Sequence, residues 1–212
     1  MSLWKQRLGH VPESVWEQTD LETLILADND LTELSGQIGR LKKLHTLDLG
    51  HNRLTSVPDT LADIEGLTGF LYLHDNRLST LPPPLARLTR LRYLNISENA
   101  FEVWPDCISG MTGLIELRAC DNRLASLPDS VGRLSRLREL HLRDNNLTSL
   151  PDSIAAMNEL RQIDLRGNPL KQLPAAIAAL PRLEKLDLRW VPALPPPTWL
   201  ASLEERGCMV YR

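Results

Sequence analysis

Residues 137–159 read LRELHLRDNNLTSLPDSIAAMNE, and this stretch contains the pattern that decides the fold. Leucines alternate with polar residues at its start, which predicts a short strand with one buried and one solvent-facing side. Asn145 follows, and an asparagine at a tight turn satisfies backbone groups that the turn would leave unpaired. Pro151 then fixes φ for a short helical or 3₁₀ segment, from which Ile154 and Met157 face inward. No such unit buries its apolar side alone.

The same pattern, L-x-x-L-x-L-x-x-N-x-L-x-x-L-P-x-x-I-x-x-L, recurs along the whole chain. Its asparagines are Asn29, Asn52, Asn76, Asn99, Asn122, Asn145 and Asn168. Successive asparagines are 23 residues apart, except for one interval of 24 between Asn52 and Asn76. Repeats of this kind must stack to bury their apolar stripes. We therefore predict an α/β solenoid of about eight repeats, a curved rod with a concave parallel β-sheet and convex short helices or 3₁₀ turns.

These seven matches resemble the leucine-rich-repeat family over nearly the whole chain. The L-P-x-x-I segment is typical of its 23-residue cytoplasmic type. That type is similar to Ras-pathway scaffolds, plant intracellular Ras-group-related proteins and the recognition domains of some bacterial effectors. The resemblance implies the solenoid fold and a binding role, but not a particular partner, because these relatives bind unrelated proteins.

We expect one domain over residues 1–212, with an N-terminal cap or partial repeat at 1–20, repeats at 21–193 and a C-terminal cap at 194–212. Leu8, Val11, Val15 and Trp16 form the partial repeat. Terminal caps are needed because an end repeat has an unstacked face.

At the other end, Val191 stands at the asparagine position, and Pro195, Pro196 and Pro197 then break the pattern. Thr198 is expected to N-cap a helix over residues 199–206, and Gly207 to end it. Residues 209–211 then form a closing strand. A capped end favours a freestanding module over a truncated receptor.

Composition excludes several classes of protein. The formal net charge is −3, which leaves no electrostatic footprint for nucleic acid or anionic lipid. There is no apolar run of about 18 residues and no signal peptide pattern. The three cysteines are widely spaced and form no disulfide framework. We therefore expect a monomer without cofactor, nucleic-acid or membrane partner, in the cytoplasm or, for an effector, a host cytoplasm.

Strand side chains that lie two, four and six residues before each asparagine point away from the core, and we expect them to be exposed. The predicted partner-binding residues are Phe70, Tyr72, His74, Tyr93, Asn95, Arg118, His141, Arg143, Arg166 and Arg189. Three of the five Phe and Tyr residues, Phe70, Tyr72 and Tyr93, fall on adjacent strands, and aromatic residues on a rigid surface are typical of interface hot spots. The alternative is that these rings only shield one another.

The arginines of this set run beside acidic residues. These acids are Glu116, Glu139, Asp164 and Asp187. The pattern favours either a charged partner or mutual neutralisation, because neighbouring strands lie about 4.8 Å apart. A nucleic-acid groove is disfavoured, since the acids would repel phosphates.

The 24-residue interval places one extra residue in Gly66-Leu67-Thr68-Gly69-Phe70. It predicts a bulge or a looser approach to the strand that carries Phe70 and Tyr72. Such an irregularity is expected at a functional site, but it is equally compatible with a neutral insertion.

Two chemical sites are conceivable on the same face. Cys120, His141 and Asp164 lie on successive strands, but nothing supplies an oxyanion hole or excludes water, so we expect no enzyme. A second set could hold a divalent metal, although its spacing is not that of a metal motif, and we expect none. Its members are Asp48, His51, His74 and Asp75.

The sequence thus predicts a non-catalytic protein- or peptide-binding scaffold that uses its concave face, with intracellular signalling as the expected role. The alternative is the substrate-recognition arm of a larger enzyme, either a bacterial ubiquitin-ligase-type effector or a regulatory arm of a kinase or GTPase.

Overall fold

The computed structural model describes residues 1–191 and 194–212, which form one parallel nine-stranded sheet whose strands follow chain order. The strands are β1 (Thr23–Ile25), β2 (Thr46–Asp48), β3 (Phe70–Tyr72), β4 (Tyr93–Asn95), β5 (Glu116–Arg118), β6 (Glu139–His141), β7 (Gln162–Asp164), β8 (Lys185–Asp187) and β9 (Met209–Tyr211). The sheet is open and curved, so the predicted solenoid is confirmed. The repeat boundary that we predicted at residue 193 lies outside the described residues.

Short 3₁₀ helices return the chain on the side opposite to the sheet. They span Glu13–Val15, Gly36–Arg40, Asp59–Asp63, Pro83–Arg87, Asp106–Gly110, Asp129–Arg133, Asp152–Ala156 and Ala175–Ala179. All but one follow a proline N-cap, whose fixed φ starts the turn. The exception is Ser35, whose side chain accepts a hydrogen bond from Gln37 N at 3.3 Å.

The core is a set of stacked leucine columns between these two layers. In the sheet, Leu117 of β5 pairs with Leu140 of β6, and both are fully buried. Ile154 and Met157 are buried beneath the same repeat, as predicted. The middle residue of each strand from β1 to β8 is buried in this core, and the flanking residues face the concave side.

The regular spacing of the asparagines produces a buried hydrogen-bond ladder. Asn145 donates from Nδ2 to the carbonyls of Ala119, at 2.8 Å, and Leu142, at 3.0 Å. Its Oδ1 accepts from Leu124 N at 3.0 Å. One side chain therefore satisfies backbone groups of its own repeat and of the preceding one, which confirms the predicted role.

The residue before each asparagine position takes a left-handed conformation. These residues are Asp28, His51, Asp75, Glu98, Asp121, Asp144, Gly167 and Trp190, with φ between 49° and 68°. Aspartate tolerates this region better than most residues, which explains why it dominates this column. The column forms a rim at the strand exits.

The N-terminus contributes an edge segment that the sequence did not predict. Ser2 forms a parallel bridge with Ile25, and Leu3 N donates to Ile25 O at 2.8 Å. Behind it, Val15 and Trp16 are buried against the first repeat, as the predicted partial repeat requires. The segment thus covers the edge of β1 that would otherwise expose unpaired backbone groups.

The C-terminal helix α1 spans Leu200–Glu205, and the prediction that Thr198 caps it is wrong. The N-cap is Trp199, which forms no side-chain cap bond, because a backbone bond from Leu200 N to Pro197 O already closes the preceding turn. Gly207 ends the helix at φ 89°, and β9 adds the predicted closing strand.

The extra residue of the long interval lies in the turn before β3 rather than in the strand. Gly69 N and Phe70 N both donate to His45 O at 3.2 Å, and Phe70 pairs in register with Thr46. The same pair of bonds precedes β2, where His45 N and Thr46 N donate to Glu22 O, so the extra residue is accommodated in the turn and β3 itself contains no bulge. Gly69 leaves room for the His45 ring in its present position. No helix among the described residues is long and apolar enough to cross a membrane.

Candidate partner-binding face

The side chains of the concave face are less exposed than we expected. Phe70 is 41% exposed, but Tyr72 and Tyr93 are half-buried, and Asp164 and Asp187 are only 9% and 1% exposed. The reason is that long side chains on a curved sheet converge and cover the shorter residues between them. The expectation that all three outward columns are exposed is therefore wrong for the two aspartates, and also for Ala27, Gly50 and Ser97, which are buried.

Phe70, Tyr72 and Tyr93 form one contiguous group, which we call the aromatic cluster. Phe70 pairs in register with Tyr93, and their ring centroids are 5.6 Å apart. The Tyr72 ring lies 5.0 Å from Tyr93 and 6.2 Å from Phe70. Burial raises the pKa of Tyr93 to about 12 and also raises the pKa of Tyr72, so both phenols are neutral at physiological pH.

A histidine pair continues the cluster toward the strand exits. The His74 ring lies 6.1 Å from Tyr72 and 4.7 Å from His51. The Nε2 atoms of the two histidines are 3.2 Å apart, and His51 Nδ1 lies 2.7 Å from Asp75 Oδ2. Gly50 makes room for this arrangement, because a Cβ there would lie 2.3 Å from the His74 ring.

The four arginines of the predicted site form ion pairs with acids of the same face or its rim. Arg166 binds Asp164 through two hydrogen bonds, at 2.8 and 2.6 Å. Arg118 Nε lies 2.6 Å from Glu116 Oε1. The same holds for Arg143, 2.8 Å from Asp121, and for Arg189, 2.8 Å from Asp187. The structure therefore contains the mutual neutralisation that the sequence left as an alternative.

The candidate catalytic line is not assembled. His141 Nε2 lies 3.1 Å from Glu139 Oε2 and 4.0 Å from Glu116 Oε1, so it is oriented by carboxylates. Burial raises the pKa of the Cys120 thiol, which is the opposite of what a nucleophile needs. A cysteine nucleophile activated by His141 is not supported.

His141 and the two glutamates also form a group whose potential ligand atoms all lie within 4.8 Å of one another. Sequence reasoning missed this group, although Glu116 and Glu139 stand in register on β5 and β6. Arg118 already neutralises Glu116 at 2.6 Å, and a cation here would have to displace that guanidinium. The group is therefore best described as an ion-paired network.

Sequence reasoning also missed a cation–aromatic group at the C-terminal end of the face. Trp190 is 67% exposed, and its ring centroid lies 5.8 Å from the Cζ atoms of both Arg166 and Arg189. The ring centroid of Tyr211 in β9 lies 5.3 Å from Arg189 Cζ and 5.5 Å from Lys185 Nζ. One feature of the sequence could have indicated this group: Trp190 stands at the position before the asparagine position, where aspartate is the most frequent residue.

The family model for leucine-rich repeats matches residues 19–78, 112–170 and 135–190, which together cover more than half of the chain. The chain therefore belongs to the leucine-rich-repeat family. Folds of this family present extended concave binding surfaces and are typical of protein-binding domains.

Several known proteins resemble the chain. A probable disease resistance protein of Arabidopsis thaliana is 35% identical over 92 residues, which is 42% of this chain and 12% of that protein. The repeat domain of the type III effector XopL superposes with a TM-score of 0.79 at 23% identity, covering 99% of this chain and 74% of that one, which shows the fold alone.

The ectodomain of an Arabidopsis thaliana membrane receptor kinase, solved in complex with CASPARIAN STRIP INTEGRITY FACTOR 2, gives a TM-score of 0.67 at 28% identity. The match covers 84% of this chain and 25% of the receptor. The curated relatives are much longer than the matched regions, which amount to 12% and 9% of the first two.

Proposed function

We propose that the chain is a non-catalytic binding module that holds a segment of another protein across its concave face, centred on the aromatic cluster. The observation that supports this most directly is the mutual contact of Phe70, Tyr72 and Tyr93 outside the hydrophobic core. The core is already filled by leucine columns, so these rings are not needed to complete it. Rigid aromatic side chains lose little conformational freedom on binding, which makes them effective anchors.

The charges around the cluster indicate what kind of segment fits. The outward positions of β1 to β4 contain no Lys or Arg and one acid, Asp48, which has no ion-pair partner among the described residues. The rim beside them carries Asp28, which pairs with Lys5, Asp75, which lies beside His51, and Glu98. We therefore assign to this half a neutral or basic segment with an apolar anchor residue, because electrostatic complementarity selects partners and speeds their approach.

The ion-paired half, from β5 to β8, plays a different part in this proposal. Arg143, Arg166 and Arg189 are each bound to carboxylates, so a partner must exchange hydrogen bonds with existing pairs. Such exchange contributes little net affinity but fixes register. His74 and Asn95 of the first half, with Arg118 and His141 of the second, complete the proposed contact area.

Selection of peptides from a random library tests the proposal. Peptides enriched on the wild-type chain should contain an apolar residue next to basic residues. Binding by a purified selected peptide, measured by calorimetry, should weaken at least about tenfold in Phe70→Ala, the effect expected of a hot-spot residue. Val103→Ala is the matched control, since Val103 is 76% exposed and lies outside the sheet. Equal loss in both variants, or acidic selected peptides, would contradict the proposal.

The second candidate, a recognition arm of a larger enzyme, rests on the short share of each relative that the chain matches. The observation that tests it is whether the open reading frame extends beyond residues 1–212. Within this stretch we propose a single domain with caps at both ends. We also propose a reducing compartment, because the three cysteines are all free and two of them are buried.

A further inference from the structure

We propose that His51 and His74 form a binding site for a divalent transition-metal ion of the zinc class on the concave face. The site lies beside the aromatic cluster but does not depend on the proposed function. It reverses our expectation from sequence, which considered Asp48, His51, His74 and Asp75 together and found no metal-motif spacing. In the structure two imidazoles supply the ligand atoms and Asp75 supports His51 from outside.

The geometry of the pair matches the requirement of a shared ion. Zinc binds imidazole nitrogen at about 2.0–2.1 Å, so two nitrogens at tetrahedral angles stand roughly 3.3 Å apart. The Nε2 atoms of His51 and His74 are 3.2 Å apart. The two rings are inclined at 81°, so they meet edge to face and are not stacked.

Asp75 prepares His51 for ligation. An ionised carboxylate only accepts hydrogen bonds, so the His51 Nδ1 atom that lies 2.7 Å from Asp75 must carry the proton. The Nε2 atom of a neutral His51 then presents its lone pair toward His74. A carboxylate on the outer nitrogen is the arrangement that orients metal-binding histidines and raises their basicity.

The surroundings also favour a cation. The acidic groups whose charges act on His74 are Asp48, Glu98 and Asp75. None of the outward positions of β1 to β4 holds an arginine or lysine that would repel the ion.

The same atoms bind one another when no metal is present. Because His51 carries its proton on Nδ1, His74 Nε2 must then donate to His51 Nε2. When the ion binds, the His74 Nε2 proton leaves to solvent and Nδ1 takes up a proton, so this neutral ring changes tautomer. His74 Nδ1 is buried without a hydrogen-bond partner among the described residues, so His74 lacks the support that Asp75 gives to His51. With two protein ligands and water at the remaining positions, the site binds more weakly than a four-ligand structural zinc site.

Calorimetric titration of the full chain with zinc chloride near neutral pH tests the site. We expect one ion per chain, with binding lost in His51→Ala and in His74→Ala. Asp75→Asn should weaken binding by about 10–100-fold, the usual effect of removing an outer carboxylate. Asparagine is well suited to this test, because it tolerates the left-handed backbone of position 75.

Two matched controls should retain the site. His45→Ala removes another histidine of the same half, whose ring contacts Phe70 rather than the pair. His141→Ala removes the histidine of the glutamate group. Nuclear magnetic resonance of the imidazole nitrogens should show zinc-dependent shifts at the Nε2 atoms of His51 and His74. The proposal is overturned if no ion binds stoichiometrically, or if His141→Ala abolishes binding while His51→Ala does not.

Discussion

Asp187 accepts two hydrogen bonds from Arg189, one from Nε at 3.0 Å and one from Nη2 at 2.8 Å, while its own side chain is almost completely buried. Arg166 Nε approaches the same carboxylate at 3.6 Å. Strand β8 therefore places a carboxylate on the concave face, where two guanidinium groups cover it. Such a charge stabilises the fold only while its partners remain.

The first prediction concerns the pH dependence of this pair. Burial opposes ionisation of Asp187, but the hydrogen bonds and charges of the arginines outweigh it and lower its pKa from the ordinary 3.8. A lowered folded-state pKa contributes stability above the unfolded value, and this contribution is lost as the pH falls through the folded value. Arg189→Ala should therefore reduce the free energy of unfolding at neutral pH, with a smaller effect well below pH 3.8. Denaturant titrations at both pH values measure this, and a pH-independent difference would contradict it.

The second prediction compares the core with the binding face. Leu140 is fully buried, and Leu140→Ala should reduce the free energy of unfolding by about 2–5 kcal/mol through lost burial and a cavity. Tyr72→Ala should reduce it by only about 0.5–1.5 kcal/mol, because it loses ring contacts and leaves no enclosed cavity. Chemical denaturation of both variants measures the difference. A larger loss in Tyr72→Ala would show that the aromatic cluster is structural.

The third prediction concerns the asparagine ladder. Asn145→Ala removes the partners of Ala119 O, Leu142 O and Leu124 N, and each buried group left unpaired costs about 1–3 kcal/mol. The neighbouring Asn146 is exposed and makes one long side-chain contact of 3.5 Å, so Asn146→Ala should change stability by less than about 0.5 kcal/mol. Thermal and urea unfolding measure the stability of the two variants. Equal stability of Asn145→Ala and Asn146→Ala would refute the role of the ladder.

The fourth prediction concerns glycines that allow coils to approach closely. A Cβ at Gly66 would lie 2.6 Å from the backbone oxygen of Lys42, so Gly66→Ala should destabilise the chain by about 1–3 kcal/mol. At Gly36 the nearest atom is the Thr60 hydroxyl, 3.6 Å away. Gly36→Ala should therefore be neutral or stabilise by about 0.4–1 kcal/mol, since it restricts the unfolded chain. Calorimetric melting measures the change in stability of each variant. Destabilisation of both variants to a similar extent would be inconsistent with this packing.

The sequence alone determined the architecture of this protein. The 23-residue period, the alternating leucines and the asparagine at each strand exit specify where every repeat turns. They do so because each repeat forms mostly from local pattern and then stacks on its neighbour. The closing strand and the N-terminal partial repeat followed from the same reasoning, and so did the column to which each concave residue belongs.

Only the tertiary structure decided what the concave side chains do. The columns place His51 and His74, or Asp187 and Arg189, on the same face, but not in contact. Their contacts depend on side-chain rotamers and on the space that Gly50 leaves for the His74 ring. They also depend on which acidic residue each arginine pairs with. The edge segment before β1 and the capping of α1 were also missed. The physical reason is that repetition fixes the backbone, while pairing between residues one period apart is settled by packing and electrostatics in three dimensions.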